Sequence, residues 1–266
     1  MPYARVIPVL LFDNGAIYRS QQFDRLYRLG DPLRQIERYK AWDVDEIIYL
    51  DMHRTDGSVG LIDVLPEISR HCFAPLSVGG GICTTDDIRR YLDAGADRIV
   101  VNTAAFETPG FVTEAAHRFG AQAIIVSIDA RRRIDGTHEV VVDRGRRPTG
   151  VLVGDWAAEA ASRGAGELFI NSIDHDGMGT GYDIKLVRSV VGRVSIPVIA
   201  CGGVGVFEHL PAGINDAGAT SVAAANIFGF KELSYLQAKQ AMRQAGNSVR
   251  TSVIAGEKHR KFAPIV

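Results

Sequence analysis

The sequence has few cysteines and no excess of either charge. Its three cysteines, Cys72, Cys83 and Cys201, are scattered and form no CxxC pair, which argues against a disulfide framework or a structural zinc site. With 30 basic and 31 acidic residues, the chain has no bulk attraction to nucleic acid or to an anionic membrane. We therefore expect no nucleic-acid partner, no membrane association, no metal and no cofactor.

Long apolar runs are also missing. The apolar stretch at 6–12, VIPVLLF, is far too short to span a membrane, and no signal-peptide cleavage pattern follows it. The 266 residues, 46% of them hydrophobic, are enough to bury a sizeable core. These features favour a cytoplasmic protein.

Short β-branched runs alternate with longer amphipathic stretches along the chain. The predicted strands cover 5–11, 46–51, 75–80, 98–102, 123–129, 167–172, 197–203 and 221–226. Helical stretches such as 31–42, 85–96 and 155–165 lie between them, and several begin at Asp or Thr, as helix caps require. The alternation predicts an α/β fold, a single (β/α)8 TIM barrel over 1–250, with 251–266 as a C-terminal tail.

The sequence also repeats internally. The segment 74–106, APLSVGGGI…LDAGADRIVVNTAAF, matches 196–228, IPVIACGGVG…NDAGATSVAAANIF, in order and spacing. The segment DEIIYLD at 45–51 is echoed by GELFINS at 166–172. The repeat predicts a barrel built from two half-barrels and a site with quasi-twofold symmetry.

Two glycine-rich loops follow repeat-related strands, VGGGICTTDD at 78–87 and CGGVGVFEHL at 201–210. Glycine lets backbone N–H groups approach an anion closely, and a helix start behind the loop favours negative charge. One such loop is equally well explained as a tight turn, but two at equivalent positions predict a ligand with a phosphate at each end. The predicted phosphate-binding residues are Gly80, Gly81, Asn102, Thr103, Gly177, Gly202, Gly203, Ala225 and Asn226.

Acidic residues follow two further strands. Asp129 ends the fifth strand, and Asp174 and Asp176 follow the sixth. A carboxylate at this face of a barrel can act as a general acid or base, although one of the latter two can equally cap its loop. The repeat places Leu11 where a symmetric site would carry a second acid opposite Asp129. Asp13 has the same side-chain parity as Leu11, but we predict it in a loop.

Several motifs together resemble one known family, the cyclase subunit of imidazole glycerol phosphate synthase, over nearly the whole chain to about residue 250. The motifs are VIP at 6–8, GDP at 30–32, VGGGI at 78–82, NTAA at 102–105, SIDA at 127–130, PTG at 148–150, NSIDHDG at 171–177 and ACGG at 200–203. The resemblance implies a barrel that receives ammonia from a glutaminase partner. It also implies a reaction on a bis-phosphorylated aminoimidazole carboxamide nucleotide, which agrees with the two predicted phosphate sites.

The resemblance assigns roles to individual residues. It implies catalytic roles for Asp129 and for the loop acid Asp176. The first catalytic aspartate of the family falls on Leu11, a lost catalytic position, because leucine can neither transfer a proton nor stabilise a cation. Arg19 stands for a mobile lysine and Asn226 for a serine. Loss of a positioned acid or base typically lowers the rate by about 10²–10⁴.

Four charged residues begin strands at the opposite face, namely Arg5, Glu46, Arg98 and Glu167. They can form a salt-bridge network that only closes the barrel floor. The resemblance implies instead an ammonia gate, with the glutaminase subunit docking at this N-terminal face to give a heterodimer.

Three hypotheses follow. One branch of the family resembles the chain in its Leu-Leu sequence after the first strand. Barrels of that branch occur with a sugar amidotransferase that makes acetamidino groups in surface-polysaccharide (lipopolysaccharide) biosynthesis. The first hypothesis is such a paralogue, which binds a phosphorylated ligand and passes ammonia on. The second is a working cyclase of histidine biosynthesis, a lyase that tolerates Leu11. The third is a non-catalytic scaffold that binds glutaminase, but a scaffold needs neither Asp129 nor the phosphate loops.

Overall fold

The computed structural model describes residues 3–52, 59–229 and 233–251. The strands in these ranges are β1 (Arg5–Asp13), β2 (Ala16–Gln21), β3 (Arg25–Gly30), β4 (Ile47–Asp51), β5 (Leu76–Gly79), β6 (Arg98–Val101), β7 (Ile124–Arg132), β8 (His138–Val142), β9 (Arg147–Leu152), β10 (Glu167–Ser172), β11 (Val198–Cys201) and β12 (Ser221–Ala224). The parallel pairs run β1–β4–β5–β6–β7–β10–β11–β12, and β12 pairs with β1. This closed eight-stranded barrel confirms the predicted fold class.

Helices connect the barrel strands and cover the outside of the sheet. In the described ranges they are α1 (Pro32–Trp42), α2 (Leu61–His71), α3 (Thr85–Asp93), α4 (Thr103–Glu107), α5 (Gly110–Phe119), α6 (Val153–Ser162), α7 (Ile184–Val191), α8 (Leu210–Asn215) and α9 (Ser234–Gln244). The side chains of Asp31, Thr84 and Asp183 cap α1, α3 and α7. In the parts of the chain that the structure describes, no helix combines the length and apolar character needed to cross a bilayer.

The barrel interior is a separate apolar core. Alternate residues of the strands point inward, as the period of two requires, and their apolar members form one cluster. It comprises Ile7, Val9, Ile48, Val100, Ile125, Phe169, Ile199, Cys201 and Ala223. This cluster separates the two faces of the barrel.

Two antiparallel hairpins extend the barrel at its carboxyl end and were not predicted. β1 continues into β2 and β3, and β7 continues into β8 and β9. Asp13 is the last residue of β1 and pairs with Ala16, so the prediction that Asp13 lies in a loop was wrong. Because strands one and five are related by the repeat, the two hairpins occupy equivalent places on either side of the barrel mouth.

Candidate active site at the carboxyl ends of the strands

A cavity of about 340 Å³ opens at the carboxyl ends of the barrel strands. It collects eight of the residues that the sequence singled out. Its lining includes Leu11, Gly80, Gly81, Asn102, Thr103, Asp129, Asp176 and Ala225. Side chains from both halves of the repeat therefore meet in one space.

Asp129 is the central titratable group of this cavity. Its side chain is buried, and the amide nitrogen of Asn102 donates to its Oδ2 at 2.8 Å. The pKa of Asp129 is raised to about 7, mainly by burial. The charge of Asp176 contributes to the rise, while hydrogen bonds from Asn102 and Asn171 act against it. Near neutral pH the carboxyl group is present in both protonation states and can serve as an acid or a base.

Asp176 lies beside it on the loop after β10. Burial raises its pKa, and the hydroxyl of Ser20 and the backbone N–H of Phe23, at 3.4 Å, donate to its carboxylate. Asp174 has a different role, because its Oδ2 accepts the backbone N–H of Arg132 at 2.7 Å. The loop-capping explanation therefore applies to Asp174, whereas Asp176 faces the cavity.

Strand register confirms the place of Leu11 in the repeat. Leu11 pairs with Leu50 of β4, and Asp129 pairs with Asn171 of β10. Leu50 and Asn171 are themselves equivalent in the repeated segments 45–51 and 166–172. An acid beside an amide in one half thus corresponds to two leucines in the other.

The neighbouring strands show the same contrast. Asn102, which donates to Asp129, corresponds in the repeat to Ala225, which has no hydrogen-bonding side chain. Leu11, Leu50 and Ala225 all pack against the interior apolar cluster. The cavity is therefore polar and titratable around Asp129 and apolar around Leu11.

The first predicted phosphate site adjoins Asp129. Gly80 and Gly81 have φ values of +109° and +68°, and a Cβ atom on Gly80 would lie 2.0 Å from the carbonyl oxygen of Asp51. Only glycine fits there without moving the backbone. Asn102 immediately precedes α4, whose first residue is Thr103, so the loop and the helix start face the same space.

The second predicted site is set apart from the first. Gly177 and Asn226 line a neighbouring cavity of about 600 Å³, together with Arg19. The backbone carbonyl of Ser20 accepts a hydrogen bond from the side-chain amide of Asn226 at 3.4 Å. The hydroxyl of Ser20 donates to the carboxylate of Asp176. The hairpin of β2 and β3 thus forms a wall between the two sites.

Backbone geometry also favours glycine at the remaining members of the second site. Gly202 and Gly203 have φ values of +91° and +103°. The carbonyl of Gly203 accepts the N–H of Gly181 at 2.8 Å, which fixes this loop against the loop after β10.

The four charged residues at the amino ends form a closed ring of ion pairs. Arg5 binds Glu46 at 2.5 Å and also pairs with Glu167. Arg98 lies 2.5 Å from Glu167 and 3.4 Å from Glu46. Both glutamates are buried, and the hydroxyl of Ser77 donates to Glu46 at 2.8 Å. The ring lies at the face opposite Asp129, below the apolar interior.

Two residues of the site were missed by the sequence analysis. Asn171 lies four residues after Glu167 on the same strand and so shares its inward parity, and that period was a sufficient signal to find it. Ser20 had no such signal, because it reaches Asp176 only through a hairpin that the pattern did not indicate.

Comparison with known proteins agrees with this architecture. Residues 5–234 match the family model described as "Histidine biosynthesis protein". Over 254 residues the chain is 44% identical to the imidazole glycerol phosphate synthase subunit HisF of Caulobacter vibrioides, covering 95% of this chain and 98% of the relative. The HisF subunit of Streptomyces avermitilis is 42% identical over 247 residues, covering 92% of this chain and 98% of the relative. The chain therefore belongs to the histidine biosynthesis protein family, with relatives that are HisF subunits of imidazole glycerol phosphate synthase.

Proposed function

We propose that this protein is a HisF-type barrel that receives ammonia from a glutaminase subunit and passes it on to a sugar amidotransferase of surface-polysaccharide synthesis. In this proposal it binds a bis-phosphorylated ligand at its mouth but cyclises the histidine-pathway nucleotide poorly. The observation that carries the proposal is the one-sided cavity, in which Leu11 stands opposite Asp129.

The environment of Leu11 supports a lost catalytic position. Its neighbours Leu50 and Ala225 offer no donor or acceptor side chain, and Asp13 does not line the cavity with Asp129. Asp129 and Asp176 lie on the same half of the repeat. Asp51, the acid that the other half contributes to the described cavity lining, accepts the backbone N–H of Leu61 at 2.7 Å. The expected loss is on the order of 10²–10⁴ in rate.

Two features of the barrel support a role in receiving ammonia. Arg5, Glu46, Arg98 and Glu167 form a ring at the amino ends, and an apolar barrel interior leads from it to the cavity. An apolar passage favours neutral ammonia over ammonium, because an unpaired charge is costly to bury. In the proposal the ring is the entry gate, and the glutaminase subunit docks on that face.

A second candidate function is cyclisation within histidine biosynthesis. Identities of 42–44% to HisF subunits over more than nine-tenths of the chain favour it, as does the retention of Asp129 and Asp176 in one cavity. In that case Leu11 is tolerated, and Asp13 or a water takes the role of the missing acid.

One experiment separates the two candidates. The purified barrel is supplied with the bis-phosphorylated histidine-pathway nucleotide and excess ammonium at mildly alkaline pH, and turnover is followed directly. Leu11→Asp tests the missing acid, and Leu11→Asn is the matched control because it has nearly the same shape without the charge. We expect little turnover by the native chain and a clear gain only in Leu11→Asp.

Rapid turnover by the native chain would overturn the proposal and establish the histidine-pathway cyclase. Equal gains in Leu11→Asp and Leu11→Asn would also count against it, because relief of apolar packing, not a carboxylate, would then explain the rate. The positive test of delivery is the transfer of ¹⁵N from glutamine to the sugar product in a mixture of glutaminase, barrel and amidotransferase.

A further inference from the structure

Arginine is concentrated on the carboxyl-end face beyond what the cavity uses. Two segments flank the mouth, residues 16–30 with β2 and β3, and residues 131–152 with β8 and β9. We name these two segments the mouth surface. They hold nine arginines and four acidic residues, a balance of +5 in a chain of formal net charge −1. The exposed arginines are Arg25, Arg28, Arg132, Arg133, Arg144, Arg146 and Arg147.

The mouth surface borders the cavity directly. Ser20 and Phe23 of the first segment and Asp143 and Arg144 of the second line the cavity that contains Asp129. Both hairpins therefore border the cavity, and a molecule seated on both of them would lie over it.

Local acids neutralise part of this charge. Arg146 lies 3.4 Å from Asp143, and Arg147 pairs with Glu107, which lies outside the two segments. Within the segments the arginines still outnumber the acids by five. The surplus produces a positive field at the mouth, while the rest of the chain carries a compensating negative balance. Such an asymmetry favours an acidic partner and accelerates its association.

The mouth surface also carries exposed apolar and aromatic side chains, as protein interfaces do. Ile134, at the turn between β7 and β8, is fully exposed at 109%, and Tyr27 is 42% exposed. The guanidinium of Arg19 lies 4.5 Å from the centre of the Tyr27 ring, which holds both side chains in place. Tyrosine and arginine are the residues most enriched in interface hot spots.

We propose that the mouth surface binds an acidic surface on the enzyme that consumes the ammonia, with the acidic rim of that enzyme seated on both hairpins. This rests on the proposed delivery of ammonia. Ammonia released into water at neutral pH takes up a proton and loses its nucleophilic lone pair, so delivery requires that the mouth be covered. Charge complementarity therefore selects a protein with aspartate and glutamate around its own active-site entrance.

The test measures binding of the purified sugar amidotransferase to the purified glutaminase–barrel complex at low and high salt. One variant carries Arg25→Glu and Arg28→Glu, and a second carries Arg132→Glu and Arg133→Glu. The control, Arg89→Glu with Arg90→Glu, makes the same charge change at two exposed positions on α3. Each hairpin variant should weaken binding by roughly tenfold or more, should lose most of the salt dependence and should lower ¹⁵N transfer, while the control binds like the native complex.

Several results would overturn the docking proposal. Native-like binding and ¹⁵N transfer by both hairpin variants would show that the arginines do not form the interface. Hairpin-dependent binding to phosphatidylglycerol vesicles, without binding to the amidotransferase, would assign the surface to lipid. Weaker binding of inorganic phosphate as the only change in the variants would assign it to ligand attraction. Failure of the proposed function is recognised separately, because the native barrel then cyclises the nucleotide on its own.

Discussion

At the scale of single residues, Asp129 shows how burial turns an ordinary acid into a group that titrates near neutrality. Its pKa of about 7 results first from desolvation, and the amides of Asn102 and Asn171 limit the rise. The same carboxyl group in an unfolded chain has a pKa of about 3.9. This difference links the free energy of unfolding to pH.

The sign of the linkage follows from proton binding. Between about pH 4 and pH 7 the folded state holds the Asp129 proton and the unfolded state does not, so the free energy of unfolding falls as the pH rises through this window. Asp129→Asn removes the titration. Its stability relative to the native chain should therefore increase from pH 5 to pH 8 by roughly 1 kcal/mol or more, since one pKa unit corresponds to about 1.4 kcal/mol.

Urea unfolding of both proteins at the two pH values measures this change. Asp135→Asn is the matched control, because Asp135 lies exposed in the turn after β7, where hydrogen bonds from Thr137 lower its pKa. It should show no such increase. A pH-independent difference between Asp129→Asn and the native chain would mean that Asp129 ionises like an exposed acid.

At the scale of elements, the barrel strands were predictable and the hairpins were not. Runs such as 167–172 match the observed β10 (Glu167–Ser172), because a buried parallel strand is a short apolar block between turn residues. β3 reads RLYRLG and is largely exposed, so it lacks both the apolar block and a clear alternation. The pairing of such strands is decided by the neighbouring strand and not by their own sequence.

The candidate site also has a part that the sequence predicted and a part that it did not. Asp129, Asp176 and the glycines follow strands and are visible in the sequence, and the repeat was sufficient to identify Leu11 as the missing partner. The sequence did not show that Asn102 donates to Asp129, because phosphate and carboxylate are both anions and either can accept an amide N–H. Nor did it show the wall between the two cavities, which depends on the hairpin.

The hairpin of β2 and β3 is fastened to the loop that carries Asp176. Ser20 donates to the Asp176 carboxylate, and the N–H of Gln22 donates to its carbonyl at 2.9 Å. Ser20→Ala should release the hairpin, because a hydrogen bond to a charged group contributes about 1.5–3 kcal/mol. Tryptic cleavage after Arg25, the exposed first residue of β3, should then accelerate by roughly tenfold or more.

Limited proteolysis of the native protein and the variant measures the cleavage rate. Ser162→Ala is the control, because its hydroxyl binds only the local helix carbonyl of Glu159 at 2.7 Å. Unchanged cleavage at Arg25 in Ser20→Ala would show that other contacts hold the hairpin closed.

At the scale of the whole molecule, one strand connects the two ends of the barrel. β10 presents Glu167, Phe169 and Asn171 inward at a spacing of two, so that it contributes in turn to the ion-pair ring, the apolar interior and the polar side of the cavity. Strand geometry thus fixes the alignment of the ion-pair ring with Asp129. A change in the ring is therefore expected to affect stability and, in the proposed function, the delivery of ammonia.

The ring should contribute strongly to stability because its glutamates are buried. In Arg98→Met, Arg5 is the remaining cation of the ring and pairs with both Glu46 and Glu167. Breaking a buried ion pair by removing one partner typically costs about 3–5 kcal/mol. Arg98 is itself 16% exposed at its side chain, so we expect a loss at the lower end of that range. Arg163→Met, which breaks the exposed pair with Glu159 at 2.7 Å, is the control and should change stability by less than about 1 kcal/mol.

Urea unfolding at pH 7 compares the variants, and Arg98→Lys separates charge from shape. Lysine keeps the positive charge but cannot bind Glu167, Glu46 and the carbonyl of Gln122 from one planar group, as Arg98 does. Its stability should therefore fall between those of the native chain and Arg98→Met. If Arg98→Met were as stable as the control, the two glutamates would not depend on Arg98, and the ring would not be a support of the barrel.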